Sequence, residues 1–153
     1  MNKIKLAYVA GLIDADGCIM IGKDSWRERN RGIAPAYFEH VSISQCDPAG
    51  LKVVQELFGG KLGIEQARAP SRRPMHRWQA RHTTACDFVR AILPYLRIKR
   101  REAELMLALR ALKNRGRKAN TYLAEAHVRR LLPEVLDEME SLYGQVRELK
   151  RTR

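Results

Sequence analysis

Between Leu6 and Gly17 the apolar positions Leu6, Val9 and Ile13 recur at helical spacing, and no proline interrupts them. The pattern predicts a short helix stopped by Gly17 in a left-handed conformation. On the other side of that helix Ala7, Gly11 and Ala15 stand four apart, a strip with almost no side chain. Small residues in such a strip let a second helix approach closely, as they do at tight helix crossings in membranes. After Gly17 the period changes from helical to two. Ile19 and Ile21 alternate with Met20 and Gly22, and Val41 and Ile43 alternate with His40, Ser42 and Ser44. These are two strands of an antiparallel hairpin around a charged tip, Lys23 to Gly32.

Asp47-Pro48 opens a second helix, with Asp47 as N-cap and Pro48 in the first turn. Leu51, Val54, Leu57 and Phe58 form its buried face, and Gly59-Gly60 end it. Leu62 and Ile64 start a second hairpin, which turns through Ala69 to Pro74 and returns as Met75 to His82. There Trp78 and Ala80 alternate with Arg77, Gln79 and Arg81. A core-facing Trp78 puts those three polar residues on the open face beside Arg68, unless a bulge between Glu65 and Arg68 exchanges the faces. Thr83 or Thr84 caps a third helix carrying Phe88, Val89, Ile92 and Leu93 and stopped near Pro94. Arg97 to Arg101 opens a longer helix with Ile98, Leu105, Leu109 and Leu112 on one face. Lys113 to Asn120 reads as a basic loop containing Gly116. Two C-terminal helices follow, Thr121 to Leu132 and Pro133 to about Leu149, the second striped with Val135, Met139, Leu142, Val146 and Leu149. Lys150 to Arg153 reads as a frayed tail.

The 153 residues are most simply one domain, 1–153, and 45% of them are hydrophobic, enough to build a core. Lys and Arg number 29 against 17 Asp and Glu, a net charge of +12 that points to a polyanion, nucleic acid before membrane. No apolar run approaches the length of a membrane span, and the N-terminus lacks a signal-peptide pattern. A soluble intracellular protein with no membrane partner is the expectation. Cys18, Cys46 and Cys86 form neither a zinc pattern nor a disulfide framework. Cys18 and Cys46 are expected to pack as small apolar residues, and His76 and His82 to be polar strand positions.

Candidate chemistry begins where the first helix ends, in Asp14 and Asp16. The C-terminal end of a helix is already partly negative, so acids placed there need a cation nearby. A divalent metal is one candidate; the plainer reading is a solvated turn, since Asp-x-Asp-Gly is a common turn composition. Open face and tip of the first hairpin carry Lys23, Asp24, Trp26, Arg27, Arg29, Arg31, Phe38, His40 and Ser42. A solvated tip accounts for the charges but not for a tryptophan among them, which suits a surface lying along nucleic acid. Lys99, Arg100 and Arg101 cluster at a helix start, where the dipole disfavours cations, and hint at a phosphate.

The run Val9-Ala10-Gly11-Leu12-Ile13-Asp14-Ala15-Asp16-Gly17 closely resembles the signature of the LAGLIDADG homing endonucleases, departing mainly in Val9 for the first Leu. The order helix, strand, strand, helix, strand, strand, helix matches the family core over roughly residues 5 to 113. The resemblance implies an α+β chain with the LAGLIDADG homing endonuclease fold, an αββαββα core with a saddle-shaped antiparallel sheet. Extra C-terminal helices at about 120–150 extend it here. It implies that two units meet through their signature helices. Because the signature occurs once, this unit would be half of a homodimer, with Ala7, Gly11 and Ala15 at the interface. The implied activity is intron homing, in which the dimer cuts a long, nearly palindromic double-stranded DNA site and leaves short 3′ overhangs. By the same resemblance Asp16, helped by the carbonyl of Ala15, ligates Mg²⁺ or another divalent cation such as Mn²⁺. Gln45 matches the residue that positions the attacking water, and Lys99 the basic residue near the scissile phosphate. A helical wheel alone would put Asp14 nearer the partner strip.

Base reading is expected from the open sheet faces, because a two-stranded ribbon fits the major groove. Arg77, Gln79 and Arg81, with Arg68 and His40, have the chemistry to read G and A. The hairpin tips, Arg72 and Arg73 among them, and the segment with Arg115, Arg117 and Lys118 would grip phosphates. Two other readings use the same basic surface: a maturase that binds its intron RNA and assists splicing, and a DNA-binding regulator that does not cut. Asp16, Gln45 and Lys99 together favour cleavage, because a binder needs no metal site.

Overall fold

The architecture was analysed in a computed structural model. It describes residues 2–25, 29, 34–65, 73–118, 122–123, 130–131 and 133–152, with the backbone alone at 116–118, 122–123 and 130–131. The first helix, α1, spans Lys3–Asp16, and Asn2 caps it by accepting from the Ile4 N–H at 2.9 Å. Leu6, Val9, Ala10 and Ile13 are buried, as the spacing predicts. Gly17 is not a left-handed stop. At φ −86° and ψ 166° it is extended, because the chain leaves the helix straight into strand β1.

β1 (Gly17–Asp24), β2 (Ala36–Gln45), β3 (Lys61–Glu65) and β4 (Met75–Arg81) form one antiparallel sheet in the order β1-β2-β4-β3. Period-2 alternation decides its faces. Ile19, Ile21, Val41, Ile43, Trp78 and Ala80 point to one side and are buried. Helices α1, α2 (Ala49–Phe58), α3 (His82–Ile92) and α4 (Arg100–Lys118) cover that side. The N-cap of α2 is Pro48 rather than Asp47, which stands one residue earlier and accepts from the Ala49 N–H at 2.8 Å; the helix ends at Gly59 and Gly60 with φ of 69° and 87°. The Trp78 indole donates to the Gly59 carbonyl at 2.8 Å, and a Cβ on Gly60 would stand 2.8 Å from that nitrogen. Trp78 then packs on Phe88, with ring centroids 4.8 Å apart.

Several expectations change here. α3 starts at His82 with no side-chain cap, so neither Thr83 nor Thr84 plays that part and His82 is not a strand residue. Its φ of 55° turns the chain from strand to helix at a single position. A non-glycine residue held there costs about 1–3 kcal/mol. Ile98 is 55% exposed rather than buried, because α4 begins only at Arg100. α4 then runs through Lys118, where a basic loop was expected. A glycine inside a helix costs only about 1 kcal/mol relative to alanine. Lys113 and Arg115 anchor these last turns, on Glu39 at 3.2 Å and on Glu138 at 2.9 Å.

Tyr122–Leu123 and Arg130–Leu131 are a pair of short antiparallel strands, β5 and β6, rather than parts of a helix. Short apolar runs fit either period, and pairing decides between them. The last helix, α5 (Pro133–Arg151), buries Met139 and Val146. It includes Lys150 and Arg151, so the expected frayed tail is helical, and Lys150 Nζ reaches Cys18 Sγ at 2.8 Å. Lys23, expected at the open tip, faces α5 because it stands opposite Tyr37 on the covered side of the sheet. Its Nζ lies 2.7 Å from Glu140 Oε2 and 5.6 Å from the centre of the Tyr37 ring. The Tyr37 hydroxyl donates to the same carboxylate. Cys46, expected to pack, is exposed, just past the end of β2.

Among the described residues two carboxylates sit inside, Glu39 and Glu102. Glu39 is fully buried, and its Oε2 accepts from Arg110 at 2.9 Å and Lys113 at 3.2 Å. Its Oε1 has no hydrogen-bond partner among the described residues. Burial pulls the Lys113 pKa below its usual value, and the Glu39 charge offsets part of that. Arg110 also reaches Cys86 Sγ at 3.4 Å, where burial pushes the thiol pKa up. Removing one partner of a buried pair strands the other. Glu39→Ala is therefore expected to lower the unfolding free energy by about 3–5 kcal/mol in urea titrations. Breaking the exposed Arg90–Asp87 pair (2.8 Å) should cost less than about 1 kcal/mol. Equal losses at the two sites would show that the Glu39 cluster is solvated.

Candidate functional site

The two aspartates that end α1 have different fates. Asp14 Oδ2 accepts from the backbone N–H groups of Arg97 at 2.7 Å and Ile98 at 3.2 Å, and its Oδ1 from that of Lys99 at 2.9 Å. In return Lys99 Nζ donates to the carbonyls of Ile13 at 2.7 Å and Asp14 at 2.8 Å. The partner that an acid at a helix C-terminus needs thus comes from the chain itself. An ammonium group on the last carbonyls of α1 also complements the dipole there. Arg100 and Arg101 in turn reach Glu104 at 3.3 and 3.4 Å. The basic cluster at the start of α4 therefore has acceptors within the protein, and a phosphate is not needed to account for it.

Asp16 is exposed, and its Oδ2 accepts from Gln45 Nε2 at 2.9 Å. Among the described residues its other oxygen has no hydrogen-bond partner. α1 delivers Asp16 and the end of β2 delivers Gln45, so two positions 29 residues apart meet at the end of the sheet. An open pocket of about 530 Å³ lies before them, lined also by Tyr8, Ser44, Cys46 and Asp47. Gly50 forms part of its wall, and a Cβ there would come within 2.9 Å of the Tyr8 hydroxyl and 3.2 Å of Gln45 Oε1. A side chain there would have to push the Tyr8 and Gln45 tips aside. Tyr8 is a site residue that the sequence reading missed, although it stands directly before the signature on a helix otherwise lined with small residues.

An exposed carboxylate beside an amide and backbone carbonyls is a hard oxygen donor set of the kind that Mg²⁺ and Ca²⁺ prefer. The residues present fit such an ion in part. Among the described residues no three His, Cys, Asp or Glu side chains come together as a metal cage.

The uncovered side of the sheet carries the polar residues. His40, Ser42 and Ser44 of β2 stand opposite Arg81, Gln79 and Arg77 of β4. Lys61, which the sequence reading passed over, faces Gln79 from β3; its alternation with Leu62 was the signal. Arg77 Nε donates to Ser44 Oγ at 3.1 Å, and its guanidinium pairs with Glu65. Arg81 lies over the Phe38 ring at 5.4 Å. Asp24, Arg29 and Arg73 are exposed, whereas Arg115 is held by Glu138. Trp26, Arg27, Arg31, Arg68 and Arg72 lie outside the described residues, as do the side chains of Arg117 and Lys118. The strand phase between Glu65 and Arg68 falls there too.

Burial lowers the His40 pKa, and Arg81, Arg77 and Lys150 lower it further, against a hydrogen bond that the ring donates to Gln79, which raises it. Its Nε2 is buried without a hydrogen-bond partner among the described residues. Between the folded value and the ordinary 6.5 the unfolded chain holds the extra proton. Unfolding free energy therefore rises with pH across that window, and below it the penalty is constant. An imidazole NMR titration is expected to give a midpoint below 6.5, and His40→Gln to flatten the pH slope of stability. A midpoint at or above the ordinary value would contradict the burial argument.

No family model matches the chain, and no curated protein matches it in sequence. Solved structures do. The homing endonuclease I-CvuI, crystallised with a DNA target, aligns at a TM-score of 0.69 and 22% identity over 96% of this chain and 82% of that one. The archaeal intron-encoded homing endonuclease I-Vdi141I, complexed with DNA, aligns at 0.69 and 16% identity over 95% and 84%. The LAGLIDADG homing endonuclease I-GzeII, also with a DNA target, aligns at 0.64 and 17% identity over 90% of this chain but 43% of its own. At that level of identity the likeness is one of architecture: the helix-backed, open-faced sheet behind Asp16 is the LAGLIDADG homing endonuclease fold.

Proposed function

We propose that two copies of this chain form a divalent-metal-dependent endonuclease that makes a double-strand break in a long, nearly palindromic DNA site. The observation that carries this reading is the Asp16–Gln45 pair, open to solvent at the end of a helix whose small-residue face is bare. Ala7, Gly11 and Ala15 are all exposed, and a Cβ added at Gly11 would meet nothing within 4 Å. Ile4 and Tyr8 on the same helix are 79% and 49% exposed. A second α1 crossing there would cover these side chains and bring two Asp16 carboxylates together. That this chain spans 43% of I-GzeII supports a unit that works in pairs.

Phosphodiester hydrolysis needs an activated water, neutralised phosphate charge and help for the leaving oxygen. When bound, Mg²⁺ or Mn²⁺ would supply the charge neutralisation and make its water more acidic. Asp16 and the Ala15 carbonyl would hold the ion. Gln45, with Nε2 engaged on Asp16, keeps Oε1 as an acceptor to orient the attacking water. Lys99 fixes a positive charge at the floor of the site, on the carbonyls just before Ala15. Arg77, Gln79 and Arg81, with the half-buried His40 beside them, would read base edges, and Arg29 and Arg73 would hold phosphates. The net charge of +12 supports DNA as the polyanion.

A pool of random duplexes incubated with Mg²⁺ is expected to yield cut fragments, and none with EDTA. Asp16→Asn should keep duplex binding and slow cutting by at least about 100-fold. Cutting by that variant at the wild-type rate would remove Asp16 from the chemistry. Gly11→Leu has room within one protomer. It should fold, sediment as a monomer and lose cleavage; a dimeric, active variant would place the interface elsewhere.

A further inference from the structure

We infer that Asp14 is a positioning residue for the Asp16 site, acting through Lys99 rather than touching metal or DNA. The inference rests on the endonuclease reading, since Asp16 is the group positioned. Its basis is a closed ring of hydrogen bonds. Asp14 collects three consecutive backbone N–H groups, those of Arg97, Ile98 and Lys99, at 2.7 to 3.2 Å. Lys99 returns its ammonium group to the carbonyls of Ile13 and Asp14 at 2.7 and 2.8 Å. Each residue therefore fixes the backbone that carries the other, across 83 to 86 residues of sequence.

The end of a helix frays unless its last carbonyls find donors. Here the two carbonyls that Lys99 holds belong to the residues immediately before Ala15 and Asp16, the pair assigned to the metal. The ring thus sets the direction in which the backbone presents the Ala15 carbonyl and the Asp16 carboxylate, while Gln45 fixes the Asp16 side chain from the opposite side at 2.9 Å. It also explains why an acid is tolerated at the negative end of α1. The Asp14 charge faces the positive, N–H-bearing approach to α4, and the Lys99 charge faces the negative end of α1.

A misplacement of about 1 Å at a catalytic group can cost about 100-fold in rate. Asp14→Ala is therefore expected to lower kcat on a selected duplex by about 10- to 100-fold and to leave KM within about threefold. Asp14→Asn keeps one acceptor oxygen and should recover part of that loss. Lys99→Met in the Asp14→Ala background should cost less than the product of the two single losses, because half of the ring is already open. A second measurement does not depend on cutting. Mn²⁺ retained by the protein–duplex complex, followed by water-proton relaxation, should bind about tenfold more weakly to Asp14→Ala and be lost from Asp16→Asn.

If Asp14→Ala does not fold, Asp14→Asn and Lys99→Met carry the same comparison. Wild-type kcat and Mn²⁺ affinity in the Asp14 variants would overturn the inference, as would a rate loss matched by an equal rise in KM. A wild-type protein that cuts no duplex, yet binds Mn²⁺ more tightly than Asp14→Ala does, would sink the endonuclease reading and leave the ring standing. A wild-type complex that retains no Mn²⁺ would overturn both.

Discussion

Strands with period-2 patterning can bury only one face, and in this protein that constraint decides where everything else goes. β1, β2, β4 and β3 place Ile19, Ile21, Val41, Ile43, Trp78 and Ala80 against the helices. The alternate residues, His40, Ser42, Ser44, Arg77, Gln79 and Arg81, are thereby forced onto the uncovered face. A chain of net charge +12 therefore carries, on a surface of strand-like regularity, the side chains best able to pair with base edges.

The same sheet must also accept charge on its buried side, and it does so in two ways. Glu39 faces the helices but is met there by Arg110 and Lys113 of α4, so that the strand and the helix are tied by ions rather than by apolar contact. Lys23 likewise faces the helices and is met by Glu140 of α5, between the rings of Tyr37 and Tyr143. Both clusters lie under β1 and β2 and fix the long helices relative to the sheet. The buried Glu39–Arg110 pair adds little net stability over apolar packing, yet it tolerates few alternative arrangements, whereas the Lys23–Glu140 pair is partly exposed.

At the end of α1 the electrostatic problem is sharper. Two carboxylates stand within three residues of a helix C-terminus, where the dipole is unfavourable. The fold separates their roles by giving Asp14 to the backbone before α4 and leaving Asp16 to solvent and Gln45. One acid is tied into the fold, and its neighbour two residues on stays exposed. Gly50, close to Tyr8 and Gln45, bounds the pocket from the side of α2, so two helices and the ends of two strands contribute to a site that a single loop could not hold.

How much of this was legible beforehand depends on whether a residue's partner is near in sequence. The helical spacing of Leu6, Val9 and Ile13, the alternation around Trp78, the Asp47-Pro48 start of α2 to within a residue and the paired glycines after it were all readable, because each is set within a few residues by backbone geometry. The signature at Val9–Gly17 and the element order were enough for the fold, even with no family model matching. Partners across long separations were not readable. Local spacing carries no record of Asp14 meeting Arg97 to Lys99, of Lys23 turning to Glu140, or of Lys150 reaching Cys18. Nor could it show that α4 would run on through Gly116 or that Tyr122–Leu123 would pair with Arg130–Leu131, where local preference is weak. The sequence by itself determined which residues must be buried and which face must stay polar, because burial follows period. Only the tertiary structure decided which charges meet, because that depends on distances between elements that no local pattern specifies.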